Sequence, residues 1–242
     1  MLSKKISLVK KYIKLSKLRV VELLLVTTVP SMIVSLYSMP PLNLVAYTLI
    51  GGTLLAVSAN VMNQVFEIDR DKLMTRTSDR PLVTGDLKKS SAIIYSIVMG
   101  VIGFMVLYFL TTPTAALIGL IANQFYIFVY TLILKPRTNQ NIVIGGAAGA
   151  APVLIGWTAT GSTLDVGAWL LFLLVFMWTP AHFWALSIEN ESDYKNADFP
   201  MLPTQETHER SSIYIAIYSC ATVLISIAAA PVLQLGIVYL LI

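Results

Sequence analysis

The strongest constraint on this chain is a series of long apolar stretches that carry almost no charge. About 20 apolar residues in an α-helix, rising about 1.5 Å each, cross the roughly 30 Å hydrocarbon core of a bilayer. The pattern predicts membrane spans at 20–37, 42–62, 92–110, 114–134, 142–158, 166–188 and 213–230. The stretch 231–242 also stays apolar, either as half of an eighth span or as a continuation of the seventh.

The composition agrees with this interpretation. Hydrophobic residues make up 56% of the 242 residues and charged residues only 12%, against about 25% charged residues in soluble domains. A soluble protein of this kind would have to bury several helices that have almost no polar face. We therefore expect an all-α fold, a polytopic transmembrane helical bundle of about seven to eight spans, forming one membrane-embedded domain over 1–242. A cleaved signal peptide is not expected, because the first span is too long.

The basic residues are distributed asymmetrically. All 17 Lys and Arg residues precede the first predicted span or follow the second, fourth and sixth, and none lies near 39–41, 111–113 or 160–165. Because positive residues mark the cytoplasmic side, we expect the N-terminus and the basic loops to face the cytoplasm at the cell membrane. The net charge of +4 reflects this asymmetry and does not indicate nucleic-acid binding, since no basic patch in a soluble module is interleaved with aromatic residues.

A first polar cluster lies where the second predicted span meets the cytoplasm. Asn63, Glu67 and Asp71 recur every four residues, so they would share one face of a continuous helix. Their oxygens suit Mg²⁺, which usually binds through one or two carboxylates together with substrate phosphates. Four nearby bases are candidates to clamp the same phosphates, namely Arg70, Lys72, Arg76 and Arg80. The alternative is a solvated, salt-bridged loop of balanced charge.

A second polar cluster ends the sixth predicted span. Glu189 and Asp193 are four residues apart and would face together on a helix, giving a second carboxylate pair on the same side of the membrane. Pro180 should kink the span and free backbone groups to line a cavity. His182 is interpreted as a packing or cavity-lining residue, with a haem contact or a proton donor as alternatives. Ordinary polar residues at a cytoplasmic helix end would give the same pattern.

Together these motifs resemble the UbiA superfamily of intramembrane prenyltransferases. The segment 63–82 is similar to its first aspartate-rich motif, although Glu67 stands where Asp is usual. The stretches 130–150, 155–157 and 178–203 more narrowly resemble the protoheme IX farnesyltransferases within that superfamily. The resemblance implies a helical bundle around a cavity, with farnesyl diphosphate as donor, haem b as acceptor and haem O as product. Family members typically have more spans, so the last C-terminal ones are expected to be missing or dispensable.

Residues and resemblance together give a hypothesis for the site. Mg²⁺ would be held by Asn63, Glu67, Asp71, Glu189 and Asp193, all of which except Glu189 are also predicted to be catalytic. The other predicted substrate-binding residues are Arg70, Lys72, Arg76, Arg80 and Lys135 for the diphosphate, Trp178, His182 and Trp184 for the porphyrin, and Tyr194. Two alternatives remain open: a prenyltransferase acting on a quinone precursor or lipid, and a membrane transporter or haem carrier. The second is disfavoured because the acids lie at one surface and no internal repeat is evident.

Overall fold

A computed structural model of the chain describes residues 7–236 and 239, except for the side chains of 19, 20 and 23–25. Helices and turns account for this part of the chain, which contains no β-strand. In chain order the helices are α1 (Leu8–Ser16), α2 (Leu18–Leu36), α3 (Leu42–Phe66), α4 (Ile68–Asp71), α5 (Lys89–Leu110), α6 (Pro113–Gln124), a π-helix (Phe125–Leu134), α7 (Asn141–Ala159), α8 (Val166–Glu189), α9 (Glu191–Asn196), α10 (Leu202–Gln205) and α11 (His208–Val232).

Six helical segments among the described residues are long and apolar enough to cross a membrane. They are α3, α5, α6 continued by the π-helix, α7, α8 and α11. The first predicted span corresponds to α2, whose described apolar part, Val26–Leu36, is shorter. The expected all-α, multi-pass bundle is thus confirmed, and the count of seven to eight spans was approximate. Of the apolar stretch 231–242, the residues 237–238 and 240–242 lie outside the described part.

Polar side chains cap the N-termini of two helices, α6 and α8, at the end of the bundle opposite the basic loops. Thr112 accepts a hydrogen bond from the Ala115 amide at 3.1 Å, and Pro113 occupies the first turn of α6. Asp165, an acid isolated from the two polar clusters, caps α8 by accepting from the Ala168 amide at 3.0 Å. Such caps satisfy amides that have no partner within the helix, so Asp165 has a structural role.

Small residues allow the central helices to approach closely. A Cβ added to Gly103 on α5 would lie 2.9 Å from the Gly51 carbonyl oxygen on α3. Helix α7 is the most buried span, at 61%, and its Gly156 packs against the backbone of Thr28 on α2. Helix α11 lies at the periphery and is only 11% buried. Glycine at such contacts brings backbones together and strengthens van der Waals packing in lipid.

The end of the bundle that carries the basic loops is covered by α1 and by the long connection between α4 and α5. Lys11 and Lys14 of α1 pair with Asp86 and Asp79 of this connection, with nitrogen–oxygen distances of 2.7 and 2.6 Å. The Gln64 side-chain amide on α3 donates to the Leu15 carbonyl oxygen at 2.6 Å. Exposed ion pairs of this kind contribute little alone, so the buried contact of Gln64 is the firmer attachment of α1.

Candidate active site

A cavity of about 340 Å³ lies within the bundle. Its deep part is lined by apolar and small residues such as Leu55, Gly52 and Ile155. Its mouth, at the end of the bundle covered by α1, carries ionisable side chains from helix ends and from the connection between α4 and α5, namely Lys17, Glu67, Asp71, Arg76, Arg80 and Lys135. A concave apolar pocket with a few converging polar groups is the usual form of a small-molecule site.

The three residues of the first predicted motif all line this mouth. Helix α3 ends at Phe66, but the Glu67 amide still donates to the Asn63 carbonyl at 3.0 Å. The Asp71 amide likewise donates to the Glu67 carbonyl at 2.8 Å, so helical spacing persists across the junction between α3 and α4. Asn63, Glu67 and Asp71 are 1%, 5% and 2% exposed. Their oxygens therefore face a largely water-excluded region in which charge interactions are strong.

Each of the two acids of this motif is paired with a base, Glu67 with one far along the chain and Asp71 with one nearby. The Lys135 ammonium lies 2.6 and 2.7 Å from the two Glu67 oxygens, and the Arg80 guanidinium donates to Asp71. Burial acts to raise the pKa of Glu67, but attraction to Lys135 and the hydrogen bond from it hold that pKa below its ordinary value. Glu67 is thus kept ionised, as an anionic ligand must be.

Lys17 is a residue of the mouth that the sequence indicated only as a marker of orientation. It follows α1 in a left-handed conformation, with φ of 50°, and its ammonium donates to the Asn63 amide oxygen at 3.3 Å. Desolvation, followed by repulsion from Arg80, lowers the pKa of Lys17 to about 7. The mouth carries four basic side chains, Lys17, Arg76, Arg80 and Lys135, against two acidic ones, and this excess favours a bound anion. Lys17 contributes less to it than the other bases because its pKa is lowered.

The π-helix positions one wall of the mouth. The Lys135 amide donates to the Tyr130 carbonyl five residues earlier, at 2.8 Å, and the Thr131 hydroxyl accepts from the Asn63 side chain at 3.2 Å. Gly145 of α7 lies against the Tyr130 ring, where any Cβ would collide with it. Such i→i+5 segments often mark functional sites because they redirect side chains. No local feature of the apolar stretch 125–134 indicates this change of helix type.

The second predicted carboxylate pair is not formed. Helix α8 ends at Glu189, and Asn190, with φ of −111° and ψ of 23°, separates it from α9. Glu189 is exposed and Asp193 is 8% exposed, and both lie outside the cavity lining. The prediction that the two would face together was wrong because the chain turns between them.

Asp193 instead holds the long connection between α4 and α5. Its two carboxylate oxygens accept hydrogen bonds from the Thr75 and Arg76 amides, each at 3.0 Å. The hydrogen bond from the Arg76 amide is the largest influence and lowers the pKa of Asp193, with the Thr75 amide acting in the same direction. Because Arg76 lines the mouth, Asp193 fixes the backbone from which that guanidinium extends.

The predicted phosphate-binding bases separate into two groups. Arg76, Arg80 and Lys135 line the mouth, as described above. Lys72 is exposed and pairs with Asp69 at 2.9 Å, and it lies outside the cavity lining. Arg70 is also outside the lining, with its guanidinium over the Phe199 ring, so the predicted roles of Lys72 and Arg70 do not match their positions.

The predicted acceptor-binding residues also separate. Trp178 and His182 line the cavity and stack on each other, with ring centroids 4.4 Å apart and an interplanar angle of 15°. Tyr194 lines the cavity as well. Trp184 is 1% exposed, packs edge-on against Tyr218 of α11 at 5.4 Å and lies outside the cavity lining. It serves packing between α8 and α11, so its predicted contact with the porphyrin does not fit.

The donor chemistry at the mouth fits a hard divalent cation. Among the described residues, no group of three or more His, Cys, Asp or Glu side chains is close enough to hold a metal by itself. Two carboxylates and one amide oxygen nevertheless line the same mouth. This small set matches Mg²⁺, which keeps several waters and takes further oxygens from substrate phosphates.

Several known proteins are similar to this chain. The UbiA prenyltransferase family matches residues 24–242. A protoheme IX farnesyltransferase from Parafrankia sp. (strain EAN1pec) is 49% identical over 229 residues, which are 95% of this chain and 73% of that protein. One from Frankia alni is 48% identical over 232 residues, which are 96% of this chain and 80% of that protein.

Solved structures share the fold. A UbiA homolog from Archaeoglobus fulgidus bound to DMAPP and Mg²⁺ has a TM-score of 0.75 at 19% identity, covering 90% of this chain and 77% of that one. The apo structure of a UbiA homolog from Aeropyrum pernix K1 has a TM-score of 0.70 at 18% identity, covering 98% of this chain and 84% of that one.

Proposed function

The chain belongs to the UbiA prenyltransferase family, and on this premise we propose that it transfers a farnesyl group from farnesyl diphosphate to a vinyl group of haem b, giving haem O. The observation that carries the proposal is the cavity itself. Two buried acids, Glu67 and Asp71, and the bases around them stand at the mouth of an apolar pocket inside the membrane bundle. The sequence identity of 49% to a protoheme IX farnesyltransferase supports haem as the acceptor.

Asn63, Glu67 and Asp71 would hold Mg²⁺ at the mouth, since their oxygens line it together. When bound, this ion neutralises diphosphate charge and acts as a Lewis acid. In this proposal Asp193 contributes by fixing the backbone at Arg76 instead of joining a pair with Glu189. The requirement for Mg²⁺ is part of the proposal.

Arg76, Arg80 and Lys135, which line the mouth, would stabilise the negative charge that builds on the diphosphate as it leaves. Charges fixed in advance where charge develops are usually the largest catalytic contribution. The carbon–oxygen bond of the donor breaks with its electrons going to the diphosphate, leaving an allylic cation. The apolar depth of the cavity excludes water from this cation, which would otherwise be hydrolysed.

The acceptor would lie against the stacked rings of Trp178 and His182, which offer a flat surface inside the cavity. Trp178 is 45% exposed, so this edge of the site is accessible from outside the bundle. The electrons of a haem vinyl group would form the new carbon–carbon bond to the farnesyl cation. Water would then add to the resulting carbon cation and lose a proton, giving the hydroxyethylfarnesyl group.

The proposed orientation follows from the basic residues. The mouth lies at the same end of the bundle as α1 and the connection before α5, which carry many of the Lys and Arg residues. Under the positive-inside rule this end faces the cytoplasm of a cell-membrane protein. Water-soluble farnesyl diphosphate head groups would then enter from the cytoplasm, and haem from the membrane.

The test is to incubate the purified protein in lipid nanodiscs with haem b, farnesyl diphosphate and Mg²⁺, and then to extract the haem for mass analysis. We expect haem b to gain farnesyl plus water, and the product to be lost when Mg²⁺ is chelated. Prenylation of a quinone precursor or lipid while haem b stays unchanged would overturn the proposed acceptor. Haem binding with no release of diphosphate would overturn prenyl transfer and favour a carrier.

A further inference from the structure

Phe199 lies in a tightly held turn between α9 and α10. The preceding residue, Asp198, has a left-handed backbone with φ of 52°. The Phe199 amide donates to the Tyr194 carbonyl at 3.0 Å, and its own carbonyl accepts from the Met201 amide at 2.8 Å. The side chain is 3% exposed. The Phe199 backbone is therefore held by hydrogen bonds of both its amide and its carbonyl, and the residue is buried.

Two basic side chains from different helix ends lie over this one ring. The Lys135 ammonium nitrogen and the Arg70 guanidinium carbon are each 4.6 Å from the Phe199 ring centroid. This distance is within the range of cation–π attraction, which is stronger where water is excluded. The Arg70 Nη1 atom is buried and has no hydrogen-bond partner in the described part of the chain, so the ring is a principal contact of that guanidinium.

An aromatic ring differs from an acid as a partner for a base. A carboxylate neutralises the base, whereas the ring holds it through its quadrupole and adds no negative charge. Glu67 already offsets part of the Lys135 charge. A second acid beside Lys135 would weaken its attraction for a diphosphate, but a ring steadies the ammonium and leaves that attraction in place.

We propose that Phe199 is a positioning residue that holds the Lys135 ammonium at the cavity mouth for diphosphate binding, with Arg70 held over the same ring. The proposal rests on the proposed function of the mouth as a diphosphate site. It assigns a role to a residue that the sequence motifs did not indicate. Phe199 and Lys135 are far apart in the sequence and meet only in the folded protein.

The competing explanation is packing alone, since Phe199 also belongs to an apolar cluster with Met74, Ile142 and Met201. The two explanations differ in what replaces the ring. Phe199→Leu and Phe199→Met keep an apolar side chain but remove the ring, whereas Phe199→Tyr keeps the ring. Two non-aromatic variants are used, so that the test can still be made if either of them fails to fold. Phe109→Leu, at an exposed aromatic residue of α5, is the matched control.

The experiment measures the dissociation constant of inorganic pyrophosphate with Mg²⁺ by calorimetry, for folded and monodisperse protein. We expect the Leu and Met variants to bind about three- to tenfold more weakly, and Phe199→Tyr and Phe109→Leu to remain within about twofold of the parent. In steady-state assays the KM for farnesyl diphosphate should rise with little change in the KM for haem. In a Lys135→Met background, Phe199→Leu should cause no further loss of pyrophosphate binding.

Equal binding by the Leu, Met and Tyr variants would overturn the proposal, as would a full additional loss in the Lys135→Met background. These outcomes are distinct from failure of the proposed function. If the parent protein binds pyrophosphate but forms no haem O, the proposed acceptor fails while the role of Phe199 is still decided by binding. If the parent does not bind pyrophosphate with Mg²⁺, the diphosphate site and the role of Phe199 fail together.

Discussion

The Lys135 ammonium nitrogen lies 2.6 and 2.7 Å from the two carboxylate oxygens of Glu67, and both side chains are largely buried. The pair joins the end of the π-helix to the junction between α3 and α4. Buried ion pairs are costly to form, but removing one partner is more costly still, at about 3–5 kcal/mol, because a charge is left without compensation. The pair therefore fixes the mouth in place as well as supplying its charges.

Removing one charge of this pair should destabilise the protein more than removing both. Lys135→Met leaves Glu67 buried and unpaired, so we expect a clear fall in thermal stability in detergent. The double variant Lys135→Met with Glu67→Gln should recover part of that loss, since no lone charge remains. Neither variant should release diphosphate at a measurable rate. A double variant no more stable than Lys135→Met would show that the pair does not act as described.

Two acids close together in sequence should differ sharply in function. Asp71 is buried at the mouth and paired with Arg80, whereas Asp69 is exposed and paired with Lys72. We expect Asp71→Asn to lower kcat by at least about a hundredfold, because the proposed metal ligand, which is also the partner of Arg80, loses its charge. Asp69→Asn should stay within about twofold, as surface ion pairs contribute little. Rates of diphosphate release for the two variants test this, and similar losses would contradict it.

Loss of the Asp193 carboxylate should loosen the connection between α4 and α5. Asp193→Ala removes the acceptors of the Thr75 and Arg76 amides, so we expect faster proteolytic cleavage of 73–88 and a higher KM for farnesyl diphosphate. Glu189→Ala is the matched control, because this nearby acid is exposed and away from the cavity. Equal cleavage rates in both variants and the parent would show that Asp193 does not anchor this connection. A loss of Mg²⁺ affinity without faster cleavage would instead favour Asp193 as a metal ligand.

The sequence predicted the features that depend on local pattern. Apolar length predicted the spans, and four-residue spacing brought Asn63, Glu67 and Asp71 to one cavity because helical hydrogen bonding persists past Phe66. The same spacing argument failed for Glu189 and Asp193. It assumes one continuous helix through both residues, but α8 ends before Asn190.

The remaining errors have a similar origin. Trp184 lies in a motif beside His182 but faces α11, and a motif does not specify which neighbour covers each face. Lys17 contacts Asn63, and Phe199 contacts Lys135; in both pairs the two residues are far apart in sequence. Contacts of this kind depend on tertiary packing and have no local periodicity from which they could be predicted.

A larger side chain at Gly52 should shorten the apolar part of the cavity and so limit the length of the isoprenoid chain that the donor can carry. This residue lines the cavity on α3, 11 residues before Asn63, which is about 16 Å along the axis at about 1.5 Å per residue. An added Cβ would meet no heavy atom within 4 Å, so a larger side chain there would extend into open space. We expect Gly52→Leu to shift the ratio of kcat/KM for geranyl over farnesyl diphosphate upward by about tenfold or more. An unchanged ratio would place the isoprenoid chain elsewhere.

The most direct test of the account is an experimentally determined structure of the protein with Mn²⁺, as a magnesium substitute with anomalous signal, and a non-hydrolysable farnesyl diphosphate analogue. The account predicts a metal about 2.0–2.3 Å from an oxygen of Glu67 or Asp71, diphosphate oxygens in contact with Arg80 and Lys135, and the isoprenoid chain inside the apolar cavity. A metal and diphosphate bound away from these side chains, or a chain lying outside the cavity, would contradict it.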